Sequence, residues 1–292
     1  MSQDVWLSLS SQLAHLLYFQ LKHRRAKYEN GMIILSVDVD AGSKSLGIIN
    51  KGSNDSNVND HMSEFEVGEV EESVVPMLIG FFDELEVPVT FAVRGQLAEV
   101  ENSLLKDLLK SSVKHDIGAH GYSHRRFTDL SRREAEDELK SIASGMGRFG
   151  IKPKSFVFPK NCVAHLDLLE NYGYTCYRGK GGSFSSDGMY IDKSGSLFDV
   201  HPTSFLWRGS NSFFGKKLID LACKRKLPCH FWFHSWNFVL PTQGYDTPVS
   251  RIRLDDIVLK QLFTYAKRQA EKCALTFETM ASATQYAYDV LC

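Results

Sequence analysis

MIILSVDV, residues 32–39, is a continuous apolar, β-rich run. Such a run has the character of a parallel strand buried on both faces. On its amino-terminal side, Trp6, Leu7, Leu13, Leu16, Leu17, Phe19 and Leu21 recur at roughly helical spacing. They predict an amphipathic helix within residues 1–30 that packs on the domain, with a membrane surface as the alternative resting place. The run is too short and too polar to span a bilayer. Its positive charges follow the apolar residues, the reverse of a secretory leader, so a cytoplasmic location is expected.

On the carboxyl-terminal side, residues 43–70 are rich in Ser, Asn, Asp and Gly and predict a long surface loop. Val74, Val75, Leu78, Ile79, Phe82 and Leu85 then recur with helical period, Pro88 closes that helix, and VTFAV (89–93) reads as a strand. The alternation continues with a helix over 104–113, a strand end at DIGAH and a helix over 131–149. Ser131 and Glu134 form a capping box at the start of that helix. SFVFP (155–159), a helix over 166–172, YTCY (174–177), a helix over 214–225, PCHFWFH (228–234), a helix over 254–272 and LTF (275–277) complete the pattern. Strands alternating with helices imply a parallel sheet with right-handed crossovers. Seven or so units fit a closed or nearly closed β/α barrel in one domain, residues 31–292.

Composition narrows the function. Of 292 residues, 34 are Lys or Arg and 35 are Asp or Glu, a formal net charge of -1. No basic excess exists to neutralise a nucleic acid, so no such partner is expected. The basic run Lys22, His23, Arg24, Arg25 and Lys27 reads as a solvated helix end. Six cysteines (Cys162, Cys176, Cys223, Cys229, Cys273 and Cys292) are scattered without a CxxC pair, and reduced thiols are expected.

In parallel α/β folds, functional side chains collect at the carboxyl ends of strands. Here those ends supply Asp38 and Asp40, then His120 and His124 in HGYSH, and His234. Asp38 and Asp40 are two apart, so an extended strand points both to one side. Buried carboxylates repel each other unless a cation sits beside them. Gly121 lets the backbone turn tightly, so that His120 and His124 both reach one ion. Two imidazoles and a carboxylate are a common ligand set for a divalent metal, leaving positions open for water and substrate. Zinc is expected first, with cobalt, manganese or nickel as alternatives. Tyr122, Trp207, Trp232 and Trp236 offer apolar faces for a sugar ring; Tyr122 and Trp236 are the expected substrate contacts, and Trp236, next to His234, is the best placed.

SVDVDAG (36–42), HGYSH (120–124), SFVFP (155–159) and WFH (232–234) resemble the polysaccharide deacetylase family, also called the NodB-homology or carbohydrate esterase family 4 domain. VPVTFAVRGQLAE (87–99) resembles that family's second strand and following helix. The resemblance runs from about residue 31 to 280. It implies a distorted (β/α)7 barrel that hydrolyses acetyl groups on sugars. It also implies Asp38 as general base, Asp40, His120 and His124 as metal ligands, and His234 as general acid. An N-acetylated sugar or glycan is the implied substrate.

Departures from the family pattern are informative. The third motif's Arg and following aromatic fall here at Val157 and Lys160. Lys160 is therefore the candidate for the missing charge beside Asp38, and its backbone N–H the candidate donor to an oxyanion. The fourth motif's Asp-Trp pair has no clear counterpart; Asp199 and His201 lie near where it should fall. Three other readings stay open: a deformylase of a lipid-linked amino sugar, a ring-opening amidohydrolase, and a catalytically silent sugar-binding domain.

Overall fold

The computed structural model describes residues 28–40, 74–98, 103–179, 191–207, 210–241, 252–254 and 256–291. The expected amino-terminal helix, the basic run 22–27 and the whole of the loop 43–70 lie outside the described residues.

In chain order the elements are β1 (Gly31–Val39), α1 (Val75–Glu84), β2 (Thr90–Val93), α2 (Ser103–Lys110), β3 (Asp116–Ala119), α3 (Arg132–Gly147), β4 (Ser155–Val157), α4 (Leu166–Asn171) and β5 (Cys176–Arg178). They continue with β6 (Ile191–Ser194), β7 (Leu197–Val200), β8 (Ser204–Phe205), α5 (Ser212–Arg225), β9 (Pro228–His234), β10 (Val239–Pro241), β11 (Ile252–Leu254), α6 (Ile257–Ala270), β12 (Leu275–Glu278) and α7 (Met280–Leu291).

β1 is the hub, and every residue in it is buried. It pairs in parallel with β9 along one side, and with β12 and then β2 along the other. The main sheet runs β6-β7-β5-β4-β3-β2-β1-β9-β8. Its pairs are parallel except β6 with β7. Along this order β5 is remote from β1, yet Arg178 on β5 donates hydrogen bonds to Ser36 and Asp38 on β1. A flat sheet cannot make that contact, so the sheet is curled into the distorted, open barrel that the sequence predicts. Helices cover its outer face, where Phe82, Phe233 and Phe263 interlock and Phe127, Phe156 and Phe158 pack edge-on.

Ser131 caps α3 as expected: its hydroxyl accepts from the Glu134 N–H at 3.3 Å, while the Glu134 carboxylate accepts from the Ser131 N–H at 2.9 Å. Other boundaries move. The strand expected at 174–177 is Cys176–Arg178, which brings Arg178 into the ladder. Leu254 ends β11, paired with β10, and the helix starts only at Ile257. The short strands β6, β7 and β8 and the helix α7 have no counterpart in the sequence reading.

The cysteines require a correction. Cys223 on α5 and Cys273 just after α6 form a disulfide, with Cα atoms 6.3 Å apart. Among the described residues Cys162, Cys176 and Cys229 are free, and the last two are buried with thiols pushed up by desolvation. The two helices pack side by side, a proximity that spacing along the chain does not reveal. Alkylation of the unreduced, denatured protein should therefore spare Cys223 and Cys273. Reduction should cost about 2–4 kcal/mol of stability, read as a lower thermal midpoint. Labelling of both residues before reduction would contradict the pairing.

Candidate metal and catalytic site

The carboxyl ends of β1, β3 and β9 meet at one rim. Parallel pairing sets Asp38 opposite His234 and Ser36 opposite Trp232. His120 follows β3, where Gly121 turns the chain at φ +65. A Cβ at Gly121 would lie 2.8 Å from Pro159 Cγ, so a side chain there would collide with the next loop. His124 is itself left-handed, at φ 62, and the turn brings the two imidazole centroids to 4.9 Å.

Asp40, His120 and His124 each offer a ligand atom, and these atoms lie within 4.8 Å of one another. His124 Nε2 is 3.7 Å and His234 Nε2 3.9 Å from Asp40 Oδ2. His120 Nδ1 is 2.9 Å from the Val157 carbonyl, so Nδ1 carries the proton and Nε2 presents its lone pair to the site. Burial, opposed by Asp38 and Asp40, pushes the His120 imidazole down to about 4, which keeps it neutral and able to ligate. Chemistry and spacing both fit a divalent ion.

Asp38 is buried beside this trio. Its Oδ2 accepts from Arg178 Nη2 at 2.5 Å, while Oδ1 is buried and accepts no hydrogen bond among the described residues. Burial pulls the carboxyl upward, but Arg178 foremost, through its charge and its hydrogen bond and with help from the neighbouring imidazoles, outweighs it and holds the carboxyl below its usual value. Asp38 is thus an ionised carboxylate with Oδ2 clamped by Arg178 and 4.0 Å from His120 Nε2, and with Oδ1 accepting no hydrogen bond among the described residues.

Arg178 corrects the expectation placed on Lys160. β4 ends at Val157, and the turn Pro159–Asn161 carries Lys160 outward at φ 54, where it is exposed. The cation touching Asp38 comes instead from the neighbouring strand. Arg178 Nη1 also donates to Ser36 Oγ at 2.7 Å, and that hydroxyl lies 2.7 Å from His230 Nε2. His230 Nδ1 faces the Val200 carbonyl at 3.3 Å. Burial, helped by Arg178, pushes His230 down to about 3, so a neutral ring accepts from Ser36. The guanidinium lies 4.4 Å from the Trp232 ring centroid. The available signal was YRG (177–179): an Arg directly after a predicted strand is a strand-end residue.

His234 forms the far wall. Its Nδ1 is 3.2 Å from Asn237 Oδ1, which directs Nε2 toward Asp40. Trp236 stacks on the His234 ring at 4.8 Å and donates its indole N–H to Asp40 Oδ1 at 3.2 Å. Phe205 and Trp232 also pack edge-on against His234. Tyr122 packs against the core beside Gly95. Trp207 is exposed, and Asp199 pairs with His201 at 3.4 Å on β7 and just past it.

Comparison with known proteins finds similar sequence and a similar fold. Residues 55–177 match the family model described as polysaccharide deacetylase, which shows the resemblance expected from the sequence. The matched stretch holds His120 and His124 but neither Asp38, Asp40 nor His234, so their convergence rests on geometry. A peptidoglycan deacetylase from Helicobacter pylori is 26% identical over 148 residues, 49% of this chain and 48% of that protein. The alignment thus spans about half the length of this curated relative. A Mycobacterium smegmatis protein provisionally designated a polysaccharide deacetylase superposes with a TM-score of 0.62 at 18% identity, over 91% of this chain and 92% of that one. A Pseudomonas aeruginosa PAO1 protein of the same provisional designation gives 0.62 at 12% identity, over 88% and 91%. A PuuE allantoinase gives 0.61 at 12% identity, over 88% and 90%. At these identities the likeness establishes the fold. Among the described residues no helix is long and apolar enough to cross a membrane.

Proposed function

We propose that the chain is a metal-dependent hydrolase that removes an acetyl group from an N-acetylated carbohydrate. One observation carries the reading. A clamped, ionised Asp38 faces the Asp40, His120 and His124 donors with its second oxygen unengaged, and His234 stands opposite. A carboxylate base, an imidazole acid and a metal ligand set are what amide hydrolysis needs on the two sides of a carbonyl.

Asp40, His120 and His124 would hold the ion, which supplies a lower pKa for water and polarises the substrate carbonyl. Asp38 Oδ1 takes a proton from the attacking water as its oxygen bonds to the acetyl carbon. Arg178 keeps that carboxylate ionised and fixed in direction through Oδ2. The Lys160 backbone N–H is the proposed donor to the oxyanion, a role that needs no particular side chain. His234 Nε2 gives a proton to the nitrogen as the C–N bond breaks, releasing acetate and a free amine. Asn237 holds the imidazole in position for this. Trp236 walls the substrate site beside His234; Tyr122 is assigned to packing.

The test is acetate release from N-acetylated nucleotide sugars, lipid-linked sugars and chitin oligomers. Release from at least one class is expected, with an equal yield of free amine. Metal-loaded protein inert on all three would sink the proposal.

Arg178 gives a sharper prediction. Without the guanidinium, burial is opposed only by the neighbouring imidazoles and the Asp38 pKa rises, so the base is protonated at a higher pH. Arg178→Met should lower kcat by tenfold or more, about 1.4 kcal/mol or above, and move the acid limb of the pH–rate profile to higher pH. An unmoved acid limb would show that Arg178 does not set the charge of the base.

A further inference from the structure

Glu138 on α3 is a buried carboxylate, 7% exposed. Its Oε2 accepts from the backbone N–H groups of Tyr122 at 2.7 Å and Ser123 at 2.9 Å, and its Oε1 accepts from the Ser123 hydroxyl. Both residues lie in the short turn between His120 and His124. Burying a carboxylate is costly unless hydrogen bonds compensate it, and these three bonds do so here. The opposite edge of the same turn is held by the segment after β2. Gly95 N–H donates to the Gly121 carbonyl at 2.8 Å, Gln96 N–H to the Tyr122 carbonyl at 3.2 Å, and Arg94 Nη2 to the Ser123 carbonyl at 3.2 Å. The carbonyls of the turn are thus fixed by one neighbour and its central N–H groups by Glu138.

We propose that Glu138 is a positioning residue that fixes this turn so that His120 and His124 face one ion before the ion arrives. The inference rests on the metal reading above. Removing an outer partner of this kind ordinarily weakens metal affinity about 10- to 100-fold. Gln at this position retains an oxygen that accepts both N–H bonds, and its amide donates to the Ser123 hydroxyl. It therefore keeps the turn while losing the charge.

The experiment titrates metal-free wild-type, Glu138→Gln and Glu138→Ala protein with Zn²⁺ against a chromophoric chelator, and records the visible spectrum of each with Co²⁺. Glu138→Gln should bind within about threefold of wild type, and Glu138→Ala about 10- to 100-fold more weakly with an altered cobalt spectrum. Equal affinity in wild type and Glu138→Ala overturns the inference, as does a Glu138→Gln affinity as weak as that of Glu138→Ala, which would make charge the cause. If Glu138→Ala does not fold, Ser123→Ala takes its place. Removing that single hydroxyl bond should weaken binding several-fold, and unchanged affinity overturns the inference. A wild-type protein that binds no metal removes the metal reading and this inference together; a metal-binding wild type matched by Glu138→Ala removes the inference alone.

Discussion

Asp38→Asn is expected to lower kcat about 10²- to 10⁴-fold, the range that a positioned general base contributes, while the metal stays bound. The amide keeps the volume of the carboxylate and an oxygen for Arg178, but it cannot accept a proton from water at neutral pH. His234→Ala should fall in the same range for the opposite reason, because an amine leaves poorly without a proton. Neither residue belongs to the proposed donor trio, so metal content per chain should match wild type in both. The measurement is kcat under saturating substrate together with metal analysis of the same samples. Near-normal turnover in Asp38→Asn would show that the base lies elsewhere.

The second large effect concerns the ligands. His120→Ala and His124→Ala should each abolish stoichiometric metal binding and reduce acetate release to background. Each variant leaves two of three proposed ligand atoms, and two donors do not make the ligand set that a divalent ion ordinarily takes in proteins. The two losses should track each other: protein dialysed against metal and then freed of excess should show neither ion nor activity. Full occupancy in the double variant would place the ion on other residues. Because His120 is held by the Val157 carbonyl at 2.9 Å, His120→Ala also leaves a buried carbonyl unpaired and should lower the thermal midpoint more than His124→Ala does.

Much of this site was legible in the sequence because its signals are local. A continuous apolar run is enough to place β1, and period two is enough to put Asp38 and Asp40 on one side of it. Gly121 between histidines announces a tight turn, and its left-handed backbone and the crowding by Pro159 give the reason. What escaped is what the curling of the sheet creates. Arg178 reaches Asp38 from a strand remote in the ladder, and no spacing rule links residues 140 apart. Ending that strand at Tyr177, one residue early, leaves Arg178 outside the ladder, and Lys160 then stands as the candidate cation. The helix face that delivers Glu138 to the histidine turn, and the packing of α5 on α6 that joins Cys223 to Cys273, are likewise tertiary. β6 was missed because it is an edge strand with two of its four residues exposed, and β8 because it has only two residues.

The most direct test of the central claim is acetate release measured against metal occupancy in a titration of the metal-free protein, using whichever N-acetylated sugar is cleaved. Activity should be absent at the start, rise in proportion to bound ion and level off at one ion per chain. Chelation should abolish it and added Zn²⁺ restore it. Acetate release that persists undiminished in the metal-free protein would contradict the account.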